Sequence, residues 1–250
     1  MITKIYKHAL FFLGLCFSIF AFCAQKNVCA ETVFTDVYTN NWSYPVSREV
    51  FDDPYDVLRL INRDNLLEKD FPNQSVDIYK MVPVTVRMTN RDFKIRNIVN
   101  VALQELFIAA EAEDVELYVG SAYRTYRNQE VSYYNRVERM GYDDGIVQMA
   151  GASEHQAGLA ADVVSLKYTN RFLQEFGETK EGEWLRNNCA RFGFIIRYPA
   201  DKEDITKVQY EPWHLRYVGI EAAMYIMESG LTLEEFTEEW QMEIKRYEER

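Results

Sequence analysis

Three histidines occur in the whole 250-residue chain. His8 lies in an apolar run near the N-terminus, which leaves His155 and His214 as the imidazoles available for chemistry. Each stands near a carboxylate. His155 belongs to Ser153-Glu154-His155-Gln156-Ala157-Gly158-Leu159-Ala160-Ala161-Asp162, with Asp162 seven residues on at the start of an apolar strand. His214 closes Glu211-Pro212-Trp213-His214. An acid at the mouth of an apolar strand is costly unless something positive pairs with it. Two neutral imidazoles and one carboxylate make a three-ligand zinc site with a position left for water. That assigns His155, Asp162 and His214 as ligands of one zinc ion and leaves Glu211 as general base. The linear spacing does not by itself bring these residues together. Residues three apart on an ideal strand point to opposite faces, so Glu211 must precede the strand or follow a bend. Pro212 biases Glu211 toward extended backbone, which fits. The bland alternative is two core histidines, each beside an unrelated acid.

The two segments also carry a resemblance. Ser153 to Asp162 is similar, position for position, to the Ser-x-His-x-x-Gly-x-Ala-x-Asp signature of VanY-type D-alanyl-D-alanine carboxypeptidases, and Glu211 to His214 to their Glu-x-Trp-His signature. Ser121-Ala122-Tyr123-Arg124, followed by Gln129, resembles the family's upstream substrate-binding segment. The resemblance extends over roughly residues 55–230. It implies zinc ligation by His155, Asp162 and His214, catalysis by Glu211, and a role for Arg124 in steadying the substrate and the developing oxyanion. It further implies substrate contact at Gln129 and Ser153. A guanidinium suits either a terminal carboxylate or a polarised carbonyl oxygen, although Arg127 stands close enough in sequence to compete. Trp213 reads as readily as a packed aromatic under the site as a substrate contact, and Tyr133 and Tyr134 as ordinary helix residues.

The implied reaction is removal of the C-terminal D-alanine from a peptidoglycan stem peptide, by a D,D- or an L,D-carboxypeptidase. A peptidoglycan endopeptidase or a D-Ala-D-Ala dipeptidase would use the same metal core. Two readings of other classes compete. A zinc-stabilised cell-wall binding module would close its metal with four protein ligands and need no spare base. A serine peptidase would need Ser153 or Ser121 activated by His155.

The elements that must position these side chains read as α+β, a small mainly antiparallel sheet with helices on its face and flank and the zinc site at the sheet. Apolar residues at Ile95, Ile98, Val99, Ala102, Leu103, Leu106 and Phe107 predict a helix within Arg91–Glu113. Further helices are expected over Thr125–Met140 with Gly141 closing it, over 181–192 with Gly193 as cap, and over Gly219–Glu228. Thr232 and Glu235 form a capping box for a last helix. Strands are expected at Val115–Val119, residues 161–166, Phe194–Tyr198 and Trp213–Tyr217, and an edge strand or extended entry at Val82–Met88, with its Pro83. Turn formers through 31–75 mark an irregular approach segment, and residues 76–250 read as the zinc carboxypeptidase domain.

The net charge of −11 excludes a nucleic-acid partner by lack of a basic face, and no protein partner is predicted. Lys4 and Lys7, an apolar run from Ala9 to Ala24, and Val28-Cys29-Ala30 read as a signal peptide cut after Ala30, or as an N-terminal membrane anchor. Either places the remainder outside the cytoplasm. Of the four cysteines, Cys189 alone follows Ala30, so no internal disulfide supports the domain, and Cys189 reads as a buried small hydrophobe.

Overall fold

The strands are segments of three to five residues, each too short to pay back helix nucleation on its own. The computed structural model describes residues 42–89, 92–169 and 171–249, and among them there are six strands. Met1–Ser43 separates as a unit of its own, and Tyr44–Arg250 forms the other. The expected leader, with its cleavage or anchor, lies outside the described residues. No helix among the described residues is long and apolar enough to cross a membrane.

Strands β1 (Met81–Pro83) and β2 (Lys94–Arg96) pair as an antiparallel ribbon. Strands β3 (Tyr118–Ser121), β4 (Ala160–Val164), β5 (Phe194–Ile196) and β6 (His214–Tyr217) form an antiparallel sheet in the order β3-β4-β6-β5. Every residue of β4, β5 and β6 is buried. The helices are α1 (Asn97–Ala112), α2 (Tyr126–Met140), α3 (Lys180–Asn188), the single turn α4 (Glu203–Thr206), α5 (Ile220–Ser229) and α6 (Leu233–Glu248). Helix α1 turns Val99, Ala102, Leu103, Leu106, Phe107 and Ala110 inward, the expected stripe. These join Val119, Val163, Leu185, Phe194, Leu215, Ile226 and Phe236 in one apolar cluster, which also takes in Val46, Val57, Leu58, Ile61 and Leu67. The α+β class is as expected.

Several boundaries move for identifiable reasons. The helix expected from Arg91 begins only at Asn97, because Lys94–Arg96 give their backbone to β1, with Met81 opposite Arg96. The strand expected at Val115–Val119 slides to Tyr118–Ser121, since the Val115 N–H closes the end of α1 by donating to Ala110 O at 2.9 Å. The helix expected over 181–192 is α3 followed by a tighter 3-10 turn, Cys189–Phe192, and Gly193 caps it at φ +82°. Helix α2 matches its expected bounds. Thr125 accepts from Asn128 N at its start and Gly141 is left-handed at its end. Both bonds of the Thr232–Glu235 capping box are present. Cys189 is fully buried and its thiol is pushed up to about 12 by desolvation, which makes it inert.

The interior also contains guanidinium groups. Arg197, just past β5, and Arg216, in β6, are fully buried. Arg197 donates from Nη1 and Nη2 to the two carboxylate oxygens of Glu234 on α6, at 2.8 and 2.6 Å. Arg216 donates from Nη2 to Val57 O at 2.8 Å and Arg59 O at 2.7 Å, tying the sheet to the preceding segment. Burial pushes the Glu234 carboxyl upward, but the Arg197 charge and hydrogen bonds outweigh it and leave the pKa below its ordinary value of 4.5. A folded-state pKa below the unfolded one stabilises above the unfolded value and loses that stabilisation as pH falls through the folded value. Glu234→Gln is therefore expected to lower unfolding stability by about 2 kcal/mol at pH 7 and by much less at pH 3. Urea denaturation at the two pH values measures the difference.

Candidate active site

The register of β4 against β6 places Asp162 directly opposite His214. His214 Nδ1 lies 3.4 Å from Asp162 Oδ1. His155 arrives from another element. It sits on a 3-10 turn, Glu154–Ala157, whose end is set by Gly158 at φ +67°. The left-handed backbone at Gly158 favours glycine, and a Cβ there would also press on the end of the Met81 side chain, 2.4 Å from its Cε. The Arg96 N–H donates to Gly158 O at 3.3 Å and the Arg124 N–H to His155 O at 3.1 Å, fixing the turn from both sides. Gln156, also fully buried, accepts from Gly151 N and donates to Glu68 O and Phe71 O. His155 Nε2 then stands 3.3 Å from Asp162 Oδ2, and the two imidazole rings cross at 81° with centroids 5.0 Å apart.

His155, Asp162 and His214 each offer a ligand atom, and the three atoms lie within 4.8 Å of one another. The remaining ring nitrogens are engaged outside the cluster: His155 Nδ1 with Ala122 O at 2.8 Å and His214 Nε2 with Glu154 Oε2 at 3.2 Å. Asp162 Oδ1 is buried and has no hydrogen-bond partner. A buried carboxylate oxygen left without a donor, facing two imidazole nitrogens, fits a bound divalent cation.

Glu211 precedes β6, as the strand geometry required. Its N–H donates to Tyr198 O at 3.0 Å and its carbonyl accepts from His214 N at 3.1 Å, a tight turn around Pro212. The carboxylate reaches back to 3.5 Å from His214 Nδ1. Arg124, just before α2, donates from Nη2 to Ser121 Oγ at 2.9 Å and from Nη1 to Gln129 Oε1 at 2.7 Å. Gln129 is held in turn by Gln148 O. A cleft of about 520 Å³ is lined by Arg124, Gln129, Ser153, Glu211 and the histidines, with the exposed Phe172 at its wall tilted by 40° against Trp213, centroids 5.7 Å apart. The groove of about 610 Å³ beside Asp53, Glu234 and Trp240 contains neither histidine. His155, Asp162, His214, Glu211, Arg124, Gln129 and Ser153 thus line one cleft with the buried Trp213, whereas Arg127, Tyr133 and Tyr134 are not among its lining residues.

Four buried ionisable groups, His155, Asp162, Glu211 and His214, meet here. Burial pushes the Glu211 carboxyl up; His214 opposes this and Asp162 adds to it, leaving it at about 8. Burial pushes His214 down, but the neighbouring Asp162 and Glu154 carboxylates prevail and raise it to about 9. Burial lowers His155. Asp162 stays well below the usual carboxylate range because the two histidines outweigh its desolvation.

One group was not singled out in the sequence. Glu154 is fully buried and accepts at Oε1 from Arg197 Nε at 2.7 Å and Arg216 Nη1 at 2.6 Å. The signal was present. Arg197 and Arg216 each sit in or beside an apolar strand, and a buried cation demands a buried anion as much as Asp162 demands a cation.

Residues 92–220 match the VanY family, described as D-alanyl-D-alanine carboxypeptidase. The chain belongs to the VanY family. YodJ of Bacillus subtilis (strain 168) is 39% identical to it over 192 residues, covering 76% of this chain and 70% of YodJ. Among solved structures, the LdcB LD-carboxypeptidase is 39% identical with a TM-score of 0.67, covering 74% of this chain and 87% of LdcB. A vancomycin-resistance D,D-pentapeptidase VanY mutant, solved in complex with Zn(II), is 35% identical with a TM-score of 0.57, covering 72% of this chain and 98% of that one.

If the three clustered side chains hold the metal, purified protein is expected to bind one zinc ion per chain. Ala at His155, Asp162 or His214 should abolish tight binding, and Glu211→Gln should retain it. Competition with a chromogenic chelator measures each case.

Proposed function

We propose that this VanY family member is a zinc-dependent carboxypeptidase that removes the C-terminal D-alanine from peptidoglycan stem peptides, acting outside the cytoplasm. The observation that carries the reading is the convergence of three potential ligand atoms within 4.8 Å, with Glu211 at 3.5 Å from one of them, at the wall of a cleft that also holds Arg124. Three ligands leave a position open for chemistry, whereas a structural zinc is closed by four. The Zn(II) complex of the VanY neighbour supports zinc as the metal.

Zinc bound at these ligands supplies a Lewis acid that polarises the scissile carbonyl and acidifies the attacking water. The chain's own residues do the rest. Glu211 accepts the proton of that water and delivers it to the leaving amine nitrogen. Its pKa of about 8 belongs to the metal-free site, and a dication beside it favours the carboxylate. Arg124 holds a substrate oxygen, either the terminal carboxylate or the developing oxyanion, and its two hydrogen bonds to Ser121 and Gln129 restrict its swing. Gln129 and Ser153 line the cleft where the peptide lies.

Incubation with muramyl tetrapeptide, pentapeptide and cross-linked dimers, followed by mass spectrometry, tests this. Loss of one D-alanine from a stem, abolished by chelation and restored by zinc, is expected. Glu211→Gln should lower kcat by about 10²–10⁴-fold with zinc content unchanged, and Arg124→Ala should lower kcat/KM without releasing metal. Unimpaired hydrolysis by metal-free protein would reject the reading.

A further inference from the structure

The metal-facing nitrogen of an imidazole is decided by what its other nitrogen touches. For His155 that partner is a backbone carbonyl, Ala122 O, which can only accept. For His214 it is Glu154 Oε2, and the constraint is built differently. Glu154 Oε1 receives two guanidinium donors, Arg197 Nε and Arg216 Nη1. Neither arginine is free to move. Arg197 is gripped by both oxygens of Glu234, and Arg216 by Val57 O, Arg59 O and Tyr217 O. Both side chains, and that of Glu154, are wholly removed from solvent. The Glu154 carboxylate therefore has one oxygen pinned and the other aimed at His214. As an ionised carboxylate it offers His214 nothing but an acceptor.

We propose that Glu154 is a positioning residue that keeps the proton of His214 on Nε2 and so presents the Nδ1 lone pair to the metal, opposite Asp162. This inference rests on the reading of His214 as a ligand. The two arginines are part of the device, because they orient whatever stands at position 154. In Glu154→Gln they select the amide oxygen for themselves and turn the amide NH₂ toward His214. The NH₂ can only donate, so the imidazole proton must move to Nδ1, the side that faces the metal. The substitution keeps the shape and reverses the tautomer.

The test reads the ring nitrogens directly. Two-bond 1H–15N spectra of zinc-loaded wild-type protein should show His214 protonated at Nε2 and His155 protonated at Nδ1. In metal-free Glu154→Gln, above the range in which His214 titrates, His214 should carry its proton on Nδ1 while His155 is unchanged and serves as the internal control. Zinc affinity of the folded variant, by chelator competition, should fall about 10–100-fold. A Glu154 that merely balances the two arginines would give a variant of lowered stability whose folded molecules bind zinc as wild type does, and that result overturns the inference. Wild-type protein with His214 protonated at Nδ1 overturns it as well, and needs no variant to fold. A wild-type chain that binds no zinc instead rejects the metal site itself.

Discussion

One cross-strand pairing governs the site. With β4 and β6 antiparallel and Asp162 opposite His214, a carboxylate and an imidazole from segments far apart in sequence are set side by side by backbone hydrogen bonds alone. A slip of one residue would send one of the two to the opposite face of the sheet. The register is held by the apolar neighbours Ala161 and Leu215, paired one step along and fully buried, so the same burial that stabilises the sheet sets the distance between the two candidate ligands. His155 is then added by a turn whose left-handed end favours glycine at position 158, and Arg124 is drawn in because its own N–H is bonded to His155 O.

Beside the site, on the same face of the sheet, lies a second constraint, an ionic core. Arg197 and Arg216 face Glu154 and Glu234, so the four charges cancel. Taking such groups from water costs several kcal/mol each, and pairing at best offsets it. An apolar cluster of the same volume would hold the fold at least as well. What the ions add is direction, because each guanidinium donates to several acceptors on different segments and fixes their mutual orientation.

The parts of this arrangement differed in how legible they were in sequence. The ligands and Glu211 were legible because scarce, chemically distinctive residues fell in two compact segments. The expectation that Glu211 must leave the strand line was also correct, since a turn at Pro212 carries it back toward His214. Helix α2 and the last helix were legible from their caps, where Thr125 and Thr232 each satisfy a backbone N–H locally. Strand β1 was expected within Val82–Met88 and is shorter, Met81–Pro83; its partner β2 was missed because Ile95 fits the helical apolar period and the strand equally well, and only a partner 13 or so residues earlier decides between them. Glu154 was missed for a related reason. Its partners, Arg197 and Arg216, lie about 40 and 60 residues away, and nothing near it in the chain predicts its burial.

The grip of α6 on Arg197 has a consequence for how the protein comes into being. Glu234 is made after every ligand of the cleft, yet it neutralises the arginine that orients Glu154 against His214. A nascent chain that has just completed β6 owns all three candidate metal ligands and Glu211, but its buried charges do not balance. Assembly of a competent centre thus waits on the closing helix, and a product cut short before Glu234 would carry the whole signature while lacking the counterweight that keeps it in order.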